Sequence, residues 1–252
     1  MLHDSGEGRV APAAPSSFLT LLLVRHGETT YNAQDRYQGQ RDVPLSEVGQ
    51  AQAARLGRRL AAAYQQEVAG SATLSPRQLP GPPVAVYASD LGRARETAEI
   101  VVREALDGGG ALPVTTLPAL RERSFGVWEG RTGAEIRVRF ARGEDAPGGE
   151  TWAEVWERMS NALATIWLAH AVQSMSEATS PTTVLVVGHG GSLRAWVCRA
   201  LGVGEEFVRR FRLDNASLSI VELWDAGNGD ALALEGRVAL LNDTSHLAPP
   251  PA

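Results

Sequence analysis

The hydrophobic pattern alternates between short continuous apolar runs and longer stretches of helical spacing. Phe18 to Val24 is a continuous run of strand length, apolar but for Thr20, the pattern of a strand buried on both faces. Leu45, Ala51, Ala54, Leu56 and Leu60 then recur at helical spacing, with Ser46 placed as the cap of a helix reaching about Ala63. Val84–Ala88 predicts a short strand and Gly92–Ala105 an amphipathic helix. Val114–Leu117 predicts another strand. Thr151 and Glu154 form a capping-box pattern ahead of a tryptophan-bearing helix that ends near His170. Thr183–Val187 is β-branched and apolar, stops at Gly188, and leads into a helix over Ser192–Leu201. Residues 216–224 and 236–241 predict a closing hairpin around Gly227–Gly229.

Strands alternating with helices predict an α/β layered fold with a mainly parallel sheet. Residues 1–17 carry Gly, Pro and Ser with almost nothing bulky and predict a flexible tail, as do residues 249–252. Residues 18–248 are then one domain, interrupted by a Gly/Ser/Pro-rich excursion over 69–83 and a linker over 174–181. No internal repeat is present.

Composition narrows the function. The chain of 252 residues is 44% hydrophobic and 21% charged, enough to bury a core without disulfides or metals. Its single cysteine, Cys198, allows neither an intrachain disulfide nor a thiolate zinc site. The net charge of −5 argues against a nucleic-acid partner, and no apolar run is long enough for a membrane span of about 20 residues. The run at Phe18 lacks a basic flank and a cleavage site, so a cytoplasmic protein is expected. Every basic residue is arginine, so an anion site must use guanidinium forks or backbone amides.

Both of the best strand candidates end in histidine: Val24-Arg25-His26-Gly27-Glu28-Thr29 and Val187-Gly188-His189-Gly190-Gly191. In open α/β sheets, ligands sit beyond the carboxyl ends of the strands. Two histidines at that edge, each beside glycines that admit a close ligand, point to a shared task. Metal binding fits poorly, because neither histidine has an i+4 partner and Arg25 repels a cation. An anion fits better. A guanidinium can hold phosphoryl oxygens while a neutral imidazole attacks phosphorus, which makes Arg25 the clamp and His26 the nucleophile.

The segment Arg25-His26-Gly27-Glu28-Thr29 with Asn32 resembles the signature of the histidine phosphatase, or phosphoglycerate mutase-like, superfamily. Four further segments resemble that family's motifs in order: Ser89-Asp90-Leu91-Gly92-Arg93-Ala94 with Thr97-Ala98, Leu120-Arg121-Glu122-Arg123 with Gly126, Trp128, Glu129 and Gly130, Gly148-Gly149-Glu150, and Val187-Gly188-His189-Gly190. The resemblance covers about residues 19–247. It implies a three-layer sandwich with a central, mainly parallel sheet flanked by helices. It implies phosphomonoester hydrolysis through a phosphohistidine on His26, with Arg25, Arg93 and His189 on the phosphoryl oxygens and Glu122 as proton donor. Asn32 and the amide of Gly190 are implied as further phosphate contacts.

Competing assignments are weaker. Arg95 points to a different side of its helix from Arg93, Glu28 and Glu150 suit loop and helix-start hydrogen bonds, and His170 suits the surface. His246 lies in a segment that family members often share and is kept as a secondary candidate. Only 67 positions separate Glu122 from His189, short for the mutase branch, and there is no lysine for a second phosphate. Hydrolysis is therefore favoured over phosphoglycerate mutase-type transfer, and both over an inactive binding relative. Arg36, Tyr37, Gln38, Phe125, Trp128 and Trp152 are expected at the entrance, a mixed aromatic and polar wall for a small phosphate ester. No cofactor and no metal are expected, and the assembly state compatible with the sequence includes a homodimer.

Overall fold

A computed structural model describes residues 19–68, 79–106, 112–170, 182–225 and 234–248. Both tails, the 174–181 linker and the turn at Gly227–Gly229 lie outside the described residues. Six strands make one sheet in the order β3-β2-β4-β1-β5-β6, where β1 is Leu19–Arg25, β2 Ala85–Ala88, β3 Val114–Thr116, β4 Thr182–Gly188, β5 Leu218–Asp225 and β6 Leu234–Asp243. The run β3-β2-β4-β1 is parallel. β5 lies antiparallel to β1 and β6 antiparallel to β5, so the hairpin extends a parallel sheet into a mixed one.

Layering follows from the two-residue period of a strand. Leu19, Leu21 and Leu23 of β1 pack with Val184 and Val186 of β4 against α5 (Trp152–His170) and α6 (Gly190–Ala200). Leu22 and Val24 pack with Leu185 and Val187 on the opposite face, against α2 (Glu47–Val68) and α3 (Gly92–Ala105). Apolar residues at consecutive positions therefore serve two cores, which is why β1 and β4 read as continuous runs. Each of these side chains, fully buried, contributes about 1.5–3 kcal/mol relative to exposure.

Helix starts follow from local chemistry. Ser46 Oγ accepts the Gly49 amide at 3.1 Å, capping α2, which continues to Val68 rather than ending near Ala63. Thr151 and Glu154 exchange reciprocal hydrogen bonds at 2.7 and 3.2 Å ahead of α5. Two helices lie where the periodicity gave none: α1 (Thr30–Ala33) and α4 (Gly133–Ala141). In α4 Ile136 is the one buried apolar side chain among the described residues, and Thr132 and Glu135 form a second capping box. α6 begins at Gly190, two residues earlier than expected, so His189 is its N-cap residue.

Candidate active site

Parallel pairing of β1 with β4 aligns Arg25 with Gly188, so the next residues, His26 and His189, leave the sheet side by side. The His26 amide donates to the Gly188 carbonyl at 3.0 Å, and the two rings lie with centroids 5.1 Å apart at 60°. His26 Nδ1 lies 2.7 Å from the Gly27 carbonyl oxygen. A carbonyl only accepts, so Nδ1 carries the proton and Nε2 keeps its lone pair. Burial, then the charges of Arg93 and Arg25, hold His26 well below the usual histidine range. Burial, then Arg93, His26 and Arg25, do the same for His189. Both rings are neutral at pH 7.

The arginines are held from behind. Arg93, at the start of α3, is wholly buried; its two terminal nitrogens donate to the carbonyls of Arg41 and Gly39 at 2.7 Å each. Arg25 Nη1 donates to the Leu213 carbonyl at 2.6 Å. Among the described residues neither forms an ion pair. Arg25 Nε, Arg93 Nε and both ring nitrogens of His189 are buried without a hydrogen-bond partner. Burial lowers Arg93 to about 10 and lowers Arg25 as well, opposed by the negative field of Glu122, and Arg93 remains cationic at neutral pH.

Glu122 sits on the loop after β3, opposite the first turn of α6. Its carboxylate accepts from the amides of Gly191 at 2.9 Å, Ser192 at 3.1 Å and Arg123 at 2.9 Å. A Cβ at Gly191 would overlap Glu122 Oε1, and one at Gly190 would press on the Arg25 guanidinium, 3.3 Å from Nε. The glycines of Gly188-His189-Gly190-Gly191 thus make room for a carboxylate and an arginine.

An open cleft of about 240 Å³ is lined among others by Arg25, His26, Asn32, Arg36, Tyr37, Gln38, Arg93, Glu122 and Phe125; of the expected phosphate contacts, His189, fully buried behind His26, and Gly190 are not among its lining residues. Asn32 Oδ1 accepts from the Thr29 amide and from Asn215 Nδ2, each at 3.1 Å, so its NH2 group is what it can offer the cleft. Tyr37 and Phe125 meet edge to face at 5.0 Å. Trp128 and Trp152 do not line the cleft. Trp128 is buried with Ile136 and Ala146, and Trp152 packs on the main core under the Arg123 guanidinium, 4.7 Å from its ring, because both rings find apolar cover behind the loop. Arg95 is exposed and paired with Glu99, His170 bonds Tyr87, and His246 lies by Arg59 and Asp243 outside the cleft lining.

Several contributors escaped the sequence reading. Asp35, Gly133 and Arg137 line the cleft; the last two come from the unpredicted α4. Asn215 Nδ2 also donates to the His26 carbonyl at 3.0 Å, and its signal was a polar turn directly before β5 at the same sheet edge. Thr97, part of the second arginine motif, was legible as a motif residue but without this role: its Oγ1 accepts the Gly27 amide at 3.0 Å and donates to the Arg93 carbonyl at 2.7 Å, tying nucleophile loop to clamp.

A neutral imidazole flanked by two guanidiniums, one buried and one half-buried, at the carboxyl edge of an α/β sheet is the arrangement of an anion-handling class of protein. The particular lineage is also clear. The chain matches the model of the histidine phosphatase superfamily (branch 1) over residues 21–78 and 70–233, and it belongs to that family. It is 34% identical over 240 residues to the probable phosphoglycerate mutase GpmB of Erwinia tasmaniensis, covering 90% of this chain and 97% of that one. Among solved structures it is similar to mycobacterial glucosyl-3-phosphoglycerate phosphatase, with a TM-score of 0.69 and 26% identity over 88% of this chain and 98% of that one. It is also similar to Bacillus stearothermophilus YhfR, with a TM-score of 0.66 and 32% identity over 91% and 100%. The chain is thus a histidine phosphatase superfamily enzyme, of a family that holds phosphatases and mutase-like relatives.

Proposed function

We propose that the chain hydrolyses a small phosphomonoester through a phosphohistidine on His26. The observation that carries this reading is the pair of guanidiniums without ion-pair partners among the described residues, Arg93 wholly buried and Arg25 half-buried, each with a buried, unbonded Nε, beside buried His189 with both ring nitrogens unbonded. Burying charge without a partner is costly, and a phosphate dianion supplies the missing acceptors to all three residues. His26 Nε2 attacks phosphorus as the P–O bond to the alcohol breaks, and Glu122 gives the leaving oxygen its proton. The Glu122 carboxylate then takes a proton from water, whose oxygen attacks phosphorus while the P–Nε2 bond breaks. Inorganic phosphate leaves, and the starting proton inventory is restored. The Nδ1 bond to Gly27 holds the tautomer throughout.

Arg25, Arg93 and His189 supply the charge stabilisation, so the reaction needs no metal. The ester is small, and the Tyr37–Phe125 wall suits an alcohol with an apolar face. The GpmB relatives keep a second reading open, transfer of the phosphoryl group to another substrate hydroxyl. The two separate in one assay with chelator present: phosphate release from p-nitrophenyl phosphate and a panel of metabolite esters, beside 3-phosphoglycerate primed with a bisphosphoglycerate. Phosphate release is expected. Fast isomerisation without release would replace hydrolysis by transfer, and loss of activity with chelation would contradict the metal-free reaction.

A further inference from the structure

The loop that carries Glu122 has little regular structure of its own. It runs from a 3-10 turn at Pro118–Leu120 to another at Gly126–Trp128, yet its carboxylate must stay within reach of a leaving oxygen. Three carbonyls of its backbone converge on one side chain of α5. Arg158 Nη1 donates to the carbonyls of Ala119 at 2.8 Å and Arg121 at 2.7 Å, and Nη2 donates to the carbonyl of Glu122 itself at 3.1 Å. The remaining donors of the guanidinium go to Glu150, Nε at 2.7 Å and Nη2 at 2.9 Å. Glu150 returns to the same loop. Its Oε2 accepts the Ser124 amide at 2.7 Å and Gln40 Nε2 at 3.2 Å, and that Gln40 nitrogen also reaches the Glu122 carbonyl at 3.3 Å.

The backbone on both sides of Glu122 is therefore pinned by one ion pair, each member about a fifth exposed. Burial alone would raise the Glu150 carboxyl, but the bonds from Arg158 and the Ser124 amide outweigh it and hold the group below the usual range, so the pair is charged at neutral pH. Because Glu150 takes two of its donors, Arg158 engages the carbonyl of Glu122 and leaves the carboxylate to the amides of Gly191 and Ser192.

We propose that Arg158 and Glu150 are positioning residues for proton transfer: the pair holds the loop so that the Glu122 carboxyl meets the leaving oxygen. The inference rests on the reading of Glu122 as proton donor. Its consequence is selective. In the step that forms the phosphohistidine, an activated ester whose leaving group needs no proton is indifferent to where Glu122 sits, whereas an alkyl ester is not; hydrolysis of the phosphohistidine, which also uses Glu122, is common to both. A role confined to docking α5 would slow both alike.

The test compares kcat/KM, which reports the steps up to phosphohistidine formation, for 2,4-dinitrophenyl phosphate and for an alkyl phosphate in wild type, Glu122→Gln, Arg158→Met, Arg158→Lys and Glu150→Gln. Arg158→Met is expected to lose about 100-fold in kcat/KM on the alkyl ester and less than about fivefold on the activated one. Arg158→Lys, which lacks the planar fork, is expected to recover only part of the loss. If Arg158→Met does not fold, Glu150→Gln and Arg158→Lys carry the same comparison. Equal losses on both esters, or none on either, would overturn the positioning role while a selective Glu122→Gln leaves the proton donor standing. If Glu122→Gln itself slows both esters alike, the proton-donor assignment fails and the positioning role fails with it.

Discussion

At the scale of single residues, the site is built by removing competitors for a phosphate. Arg93 spends its terminal nitrogens on backbone carbonyls, Asn32 spends its carbonyl oxygen on Thr29 and Asn215, and His26 spends Nδ1 on Gly27. What is left faces a ligand. The same economy sets the glycines: Gly191 has no Cβ because Glu122 occupies the space. Gly191→Ala is expected to displace that carboxylate and cut kcat on an unactivated ester by about 100-fold, the scale of a misplacement near 1 Å. Gly202→Ala is the control, since that glycine has φ +65° and open space around it. It should cost about 1 kcal/mol of stability and leave kcat alone. A Gly191→Ala enzyme with wild-type kcat would mean that the Glu122 carboxylate need not sit where Gly191 makes room for it.

At the scale of elements, legibility followed burial. β1 and β4 were readable because both faces are buried, and their ends located His26 and His189 before any coordinates. The family resemblance then supplied Arg93 and Glu122, whose partners are backbone groups distant in sequence and leave no periodic trace. α4 was missed because only Ile136 of its described side chains is buried, so no apolar stripe marks it. Its start was nonetheless written in Thr132-Gly133-Ala134-Glu135, the same box that identified α5. Trp128 and Trp152 were placed at the entrance on residue type alone. Which side of a loop an aromatic ring takes depends on the apolar cover available, and here that cover lies behind it. Arg158 carried no signal, since a polar position on an amphipathic helix reads as solvent-facing until its loop is placed against it.

At the scale of the molecule, a net charge of −5 coexists with a cationic pocket because the site's charges are few, wholly or partly buried and turned inward. No helix among the described residues is long and apolar enough to cross a membrane. Keeping two histidines neutral couples the site to global stability. His26 and His189 have folded pKa values well below 6.5, so below that pH the unfolded chain binds protons that the folded chain does not. Stability is therefore full above pH 6.5 and falls as pH drops beneath it, by about 1.4 kcal/mol per unit for each group. Urea unfolding at pH 7.5 and 5.5 should show the folded state weaker at pH 5.5, with His246, lowered to about 4 by burial, adding in the same direction. Equal stability at the two values would show that the imidazoles take up protons in the fold.

The central claim is that His26 carries the phosphoryl group, and trapping it is the direct measurement. The enzyme is mixed with a phosphate-labelled ester, quenched in alkali within a turnover, digested and mapped. Label on the peptide containing His26, stable to alkali, lost in acid and absent from His26→Ala, is the predicted result. Label that survives acid, or that maps elsewhere, or a His26→Ala enzyme that turns over as fast as wild type, would contradict it.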